Sequence, residues 1–286
     1  MASSFGAYPP PYLLLCTVFY LSFTLICDCT SMSEASDNIT LDSLRDSLEK
    51  QEDFIVFSLI ERARYPLDSP AYGHSSCPGR QSCSFAELFV RTTEEIEAKF
   101  GRYQNPEEVP FFSNYLPSSP PGLIPSFKFP QVLYPKAASV NVSRTIWEVY
   151  FNDLLPQFTT KGDDGNYQQA VASDLICLQA LSKRIHLGRF VAEVKYRSSP
   201  QDYNPSIRSK DLKTLTELVT SEQVEAMVVK RVKKKAEVFG QDVTLDSNGN
   251  QTTYKVDPLF VSNLYKKWVI PLTKQVEVNY LLRRLG

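Results

Sequence analysis

The stretch Leu181–Tyr196, LSKRIHLGRFVAEVKY, sets Arg184 and Lys195 eleven residues apart in a helical pattern. At about 100° per residue, eleven steps return the chain to nearly the same face, so the two cations point the same way and can converge on one anion. Two i, i+4 pairs accompany them. Ser221 and Glu225 open one helix, and Thr273 and Glu277 lie just past Pro271 in another, each pair sharing a face. Ser221 can equally be an N-cap. Glu277 sits between Val276 and Val278 near an apolar face. A carboxyl that loses its water there favours the neutral, hydrogen-bond-donating form. With only His74 and His186 and no CxxC pair, the chain offers neither a zinc site nor a histidine-based triad, so its chemistry must rest on arginine, lysine and carboxylates.

Helices must position these groups. From Thr40 onward, apolar residues at 41, 44, 48, 55 and 59 have helical spacing, Asp42 falls in the first turn and Pro66 stops the run. Arg45 flanks that stripe and is placed to enter an interface. A second helical pattern runs to about Tyr103. Eight prolines between Asn105 and Ser143 exclude long regular elements, while Phe111, Phe112, Tyr115, Phe127, Phe129 and Tyr134 argue for an ordered connection packed over helices. Helical patterns resume at 143–156, continue without a break over 168–198, and return at 208–218 and 221–239. A last helix starts at Asp257-Pro258 and is kinked by Pro271. VTLDSNGNQTTYKV, at 243–256, is the one hairpin candidate. The expected fold is all-α: a single multi-helix domain over 40–286.

The chain has 286 residues, 43% of them hydrophobic and 22% charged, enough apolar surface for a large core. Its formal charge of −1 argues against nucleic acid as a partner. The run Lys230, Arg231, Lys233, Lys234, Lys235 reads as a solvated helix face. Residues 12–27, YLLLCTVFYLSFTLIC, carry no charge. Their length fits a signal-peptide core and is short for a stable membrane span, although no Lys or Arg precedes them; residues 1–39 are read as a leader and flexible segment, with an unprocessed extension as the alternative. Sequons at Asn38, Asn141 and Asn250 agree with a secretory route. Cys77 and Cys83 can close a small loop, and Cys177 reads as core.

LRDSLEKQEDFIVFSLIERARY, LSKRIHLGRFVAEVKY and IPLTKQVEVNYLLRRL each resemble segments of the eukaryotic, plant-type all-helical chorismate mutases. The likeness runs from about Leu41 to Gly286 and includes NPEEVPFF and FPQVLYP. The resemblance implies a homodimeric isomerase that converts chorismate to prephenate, towards phenylalanine and tyrosine, by an intramolecular Claisen rearrangement without cofactor or metal. On it, Arg45 and Arg184 match the arginines that clamp the substrate carboxylates, and Lys195 the lysine that donates to the ether oxygen. Glu277 matches a glutamate approaching that oxygen as a neutral acid, Glu225 the acceptor of the substrate hydroxyl, and Thr273 a threonine contacting a carboxylate. Ser221 stands where the fungal pattern has asparagine. Gln168-Gln169 replaces a Gly-Ser pair of regulated members, and Gly101 replaces the first of two arginines, so an enzyme insensitive to aromatic amino acids is expected. The resemblance points to cytosol or plastid, against the leader. The rival expectation is a catalytically silent helical protein that binds aromatic acids or a partner.

Overall fold

Thr40 ends the extended entry to the first helix by accepting the Ser43 amide on its side chain, while Ser43 returns the bond to the Thr40 amide. In this computed structural model, which describes residues 39–73, 83–118, 129–242 and 253–285, helix α1 (Leu41–Arg62) follows directly. Next come the short α2 (Ser69–Tyr72), α3 (Phe85–Lys99), α4 (Ser143–Val149), α5 (Leu155–Phe158), α6 (Tyr167–His186) and α7 (Gly188–Ser198). The chain then builds α8 (Pro200–Ser209), α9 (Leu212–Val219), α10 (Glu222–Phe239), α11 (Pro258–Leu264) and α12 (Ile270–Leu282). The strands among the described residues are a two-residue parallel pair, β1 (Leu67–Asp68) on β2 (Lys161–Gly162). The fold is all-α, as the spacing implied. Helix α6 is its axis, packed by α1, α3, α4 and α12, while α7 lies on α12 and α10 on α1 and α11. The leader read over residues 1–39 lies outside the described residues except for Ile39, as do Cys77 and residues 243–252 of the hairpin candidate, whose flanks meet in a bridge from Gln241 to Tyr254. Among the described residues, no helix is long and apolar enough to cross a membrane.

Several expected elements change form. The helix expected to run unbroken over 168–198 is interrupted at Leu187, whose carbonyl accepts from both Phe190 and Val191, so Arg184 and Lys195 sit on separate helices. The break lets Gly188 approach α12 closely: a Cβ on Gly188 would lie 2.9 Å from the Thr273 carbonyl oxygen. Helix α8 was not foreseen; Pro200 is tolerated in its first turn, where the missing N–H is not needed, and Pro205 lies inside it. The expected kink at Pro271 takes the form of a π turn, Tyr265–Val269, in which the Ile270 amide reaches back to the Tyr265 carbonyl. A second π turn, Tyr150–Leu154, precedes Pro156 in the same way. Both begin with a fully buried tyrosine.

Buried polar groups tie the helices together. Asp174 on α6 is fully buried and accepts from Arg62 Nε at 2.5 Å, Tyr72 at 2.6 Å and Tyr150 at 2.8 Å, joining α1, α2 and the π turn Tyr150–Leu154. His186 accepts the Val142 amide on Nε2, and burial, with the charge of Arg189, pushes its pKa down to about 3, which keeps it a neutral acceptor. Cys177 is buried and free, and Cys83 is disulfide-bonded. The proline-rich connection is ordered where described: Glu94 accepts the Phe111 and Phe112 amides, and both rings pack on Trp147. Replacing Asp174 with Ala strands Arg62 as a buried, unpaired charge. Its expected cost is about 3–5 kcal/mol of unfolding free energy, read as a lower urea midpoint.

Candidate active site

Four helices bring six of the seven sequence-selected residues to one region. Helix α6 supplies Arg184, α7 supplies Lys195, α10 supplies Ser221 at its N-cap and Glu225 in its first turn, and α12 supplies Thr273 and Glu277. The Lys195 ammonium lies 3.0 Å from Glu277 Oε2 and donates to the Val219 carbonyl, also at 3.0 Å. Arg184 is buried, and its Nη1 reaches Thr273 Oγ1 only at 3.5 Å. The Thr273 hydroxyl itself donates to the Val269 carbonyl at 2.7 Å. Arg184 Nε has no hydrogen-bond partner, so much of this cation's bonding capacity is unspent.

Burial pushes the Glu277 carboxyl above the ordinary carboxylate range against the opposing pull of Lys195 and Arg184, and the charge of Glu225 adds to the rise. Glu225 is in turn held by Lys274, 3.0 Å away. The result is a cluster of three cations, Arg184, Lys195 and Lys274, with one desolvated carboxyl and one partly exposed carboxylate. Such an arrangement accepts an anion and offers a proton donor beside it.

Two selected residues behave differently from the rest. Arg45 stands apart from the other six: it is exposed and bonds to Asp42 Oδ1 at 2.7 Å on its own helix. Ser221 occupies the N-cap by position, yet its side chain makes no capping bond and is exposed, so its hydroxyl is not spent on the helix end.

Other residues were missed. The Arg184 guanidinium carbon lies 6.0 Å from the centre of the Tyr265 ring, and the Tyr265 hydroxyl is buried without a partner. Glu52, fully buried on α1, receives both Arg231 Nε and Nη2, at 2.8 and 2.7 Å, with Lys235 3.2 Å away. Part of the basic run on α10 is therefore an inward ion cluster and not the solvated face expected. Nothing in the local spacing reveals this, because Glu52 lies 179 residues from Arg231.

Residues 166–278 match the family model for chorismate mutase type II. The chain is 56% identical over 259 residues to chorismate mutase 2 of Arabidopsis thaliana, covering 89% of this chain and 97% of that one. Among solved structures, AtCM1 with tyrosine bound in its allosteric site superposes with a TM-score of 0.77 at 42% identity, over 88% of this chain and 99% of that one. The Aro7p chorismate mutase of Candida albicans, in complex with L-tryptophan, gives 0.80 at 36%, over 86% and 91%. These neighbours overturn the expectation that aromatic amino acids exert no control. The departures that prompted it are weak obstacles physically. Gln168 and Gln169 are both exposed, so neither side chain fills a packed space. Gly101 takes a left-handed φ of 82° at the turn leaving α3, and Arg102 beside it is held by Glu97 and Glu108. With the extent of the matches and a helical architecture in common with the solved relatives, the chain belongs to the chorismate mutase family and is an isomerase of that kind.

Proposed function

We propose that the cluster around Lys195 and Glu277 binds chorismate and turns it into prephenate. One observation carries this reading: a buried, under-bonded arginine and a lysine face a desolvated carboxyl across α6, α7 and α12. The rearrangement is pericyclic. The ether C–O bond breaks as a new C–C bond forms within one molecule, so no nucleophile is required and no atom is lost. The protein has to hold the flexible dianion folded, with its reacting carbons in contact, and steady the negative charge that builds on the ether oxygen.

Arg184 clamps one substrate carboxylate, helped by Thr273, and its planar fork suits a bidentate grip. Arg45 supplies the second clamp by exchanging Asp42 for the ligand. Lys195 and neutral Glu277 donate to the ether oxygen, Glu225 accepts the ring hydroxyl, and Ser221 offers its unspent hydroxyl to the same end of the ligand. Donors preset in this way act more strongly on the transition state than on the ground state.

The functional unit is a homodimer. Phe85, Leu88, Ile96 and Phe100 lie along one side of α3 and stay exposed, Phe100 by 63%, with Ile176 of α6 exposed at 37%. An apolar stripe of that kind is what a second copy covers. Control by aromatic amino acids belongs to the same reading, supported by the neighbours that hold them, and is read by repeating the turnover assay with added tyrosine, phenylalanine or tryptophan.

Purified protein given chorismate should form prephenate, and Arg184→Ala should lower kcat by about 10²–10³-fold, the usual cost of removing one preset charge-stabilising donor. Unchanged turnover in that variant would remove the site from this region. Because only the protonated Glu277 donates, activity should fall as pH rises through its elevated pKa, and Glu277→Gln should flatten that fall, since an amide donates without titrating. Light scattering should give twice the chain mass, and Ile96→Glu should shift it towards the monomer.

A further inference from the structure

Asn141, Val142 and Ser143 form the turn that leads into α4, and they spell an N-glycosylation acceptor, Asn-x-Ser. The asparagine is exposed. Its Oδ1 accepts the Ser143 amide at 2.6 Å, while its side-chain nitrogen carries no hydrogen bond among the described residues and is left to solvent.

Ser143 presents a different problem. The residue is 2% exposed and its hydroxyl has no hydrogen-bond partner. A buried hydroxyl without a partner is unfavourable, and an alanine would fill the same space without that cost. The folded protein therefore has no use for the one group that makes this triplet a sequon. A use before folding accounts for it: oligosaccharide transfer acts on the extended chain, where the serine hydroxyl is required and not yet buried.

Two independent features agree with entry of the nascent chain into a compartment where such transfer occurs. Residues 12–27 form an uncharged apolar run of signal-peptide length. Cys83 is disulfide-bonded, a state that persists in oxidising compartments. The site is also compatible with catalysis. The turn is pinned to α6 through the Val142 amide and His186. His186 is two residues from Arg184, about 200° around the helix, so a glycan on Asn141 projects away from the cation cluster.

We propose that Asn141 is N-glycosylated as the chain enters the secretory route, and that Ser143 is kept for that modification and not for the fold. The test uses the full-length chain with a C-terminal epitope, expressed in plant cells, carrying Asn38→Gln and Asn250→Gln so that Asn141 is the remaining sequon. A single mobility step removed by peptide N-glycosidase, and absent after Asn141→Gln or Ser143→Ala, is the expected result. A chain that shows no digestible step, or whose step survives Asn141→Gln, overturns the modification. Ser143→Ala protein made in bacteria should have a Tm equal to or above that of the parent; a lower Tm would show that the fold does use the hydroxyl, and would overturn the second half of the proposal.

Discussion

Helices α7 and α12 are held against each other at several points, and the candidate site exists only while they stay there. At one end Gly188 lets the backbones meet at Thr273. Further along, Glu193, fully buried on α7, accepts from Tyr280 at 2.6 Å and from Arg284 at 2.8 Å. Residue numbers rise together along both helices, so they run in the same direction. Lys195 leans back along its helix, as long side chains do, and meets Glu277 between these anchors. The position of the lysine relative to the carboxyl is thus set by contacts on either side of it.

Charge burial is the other constraint. Glu193, Asp174 and Glu52 are each fully buried carboxylates surrounded by arginine, lysine or tyrosine donors, and each joins helices far apart in sequence. Such clusters are poor sources of net stability, because desolvation offsets much of the attraction, but breaking one partner is costly. They work as registers: a helix that slid by a turn would leave an ion unpaired in the core. Glu277 shares with Asp174 a pKa driven upward by burial despite a cation close by, its lysine lying 3.0 Å away. Its environment favours the proton, which is what a donor at this place requires.

Much of this was legible in the chain. Helical spacing located α1, α3, α10 and the start of α11. The eleven-residue interval between Arg184 and Lys195 implied a shared face only on one continuous helix; the break at Leu187 puts them on separate helices, and each reaches α12 on its own, at Thr273 and Glu277. Pairing over long sequence distances was not legible. Arg231 looked solvated because its partner, Glu52, belongs to another helix, and α8 forms despite one proline in its first turn and a second, Pro205, inside it. Arg45, chosen by resemblance, lies on its own helix surface beside Asp42. The reading of regulation from three substituted positions failed for a related reason. Exposed glutamines change little, and a residue type alone does not say whether its side chain fills a space.

The π turn at Tyr265–Val269 has a consequence for how this protein can change over time. A π turn holds one more residue than the helix around it needs, and each residue turns a helix by about 100°. Deleting a single residue from this segment would restore regular hydrogen bonding and leave the apolar content almost untouched. Because the π turn fits its extra residue into a single turn, that deletion would leave Thr273 and Glu277 close to the phase they now hold against α6 and α7. The irregular turn is thus the place in this helix where losing one residue disturbs the site least, whereas the same loss between Thr273 and Glu277 would turn the carboxyl by about 100° away from Lys195.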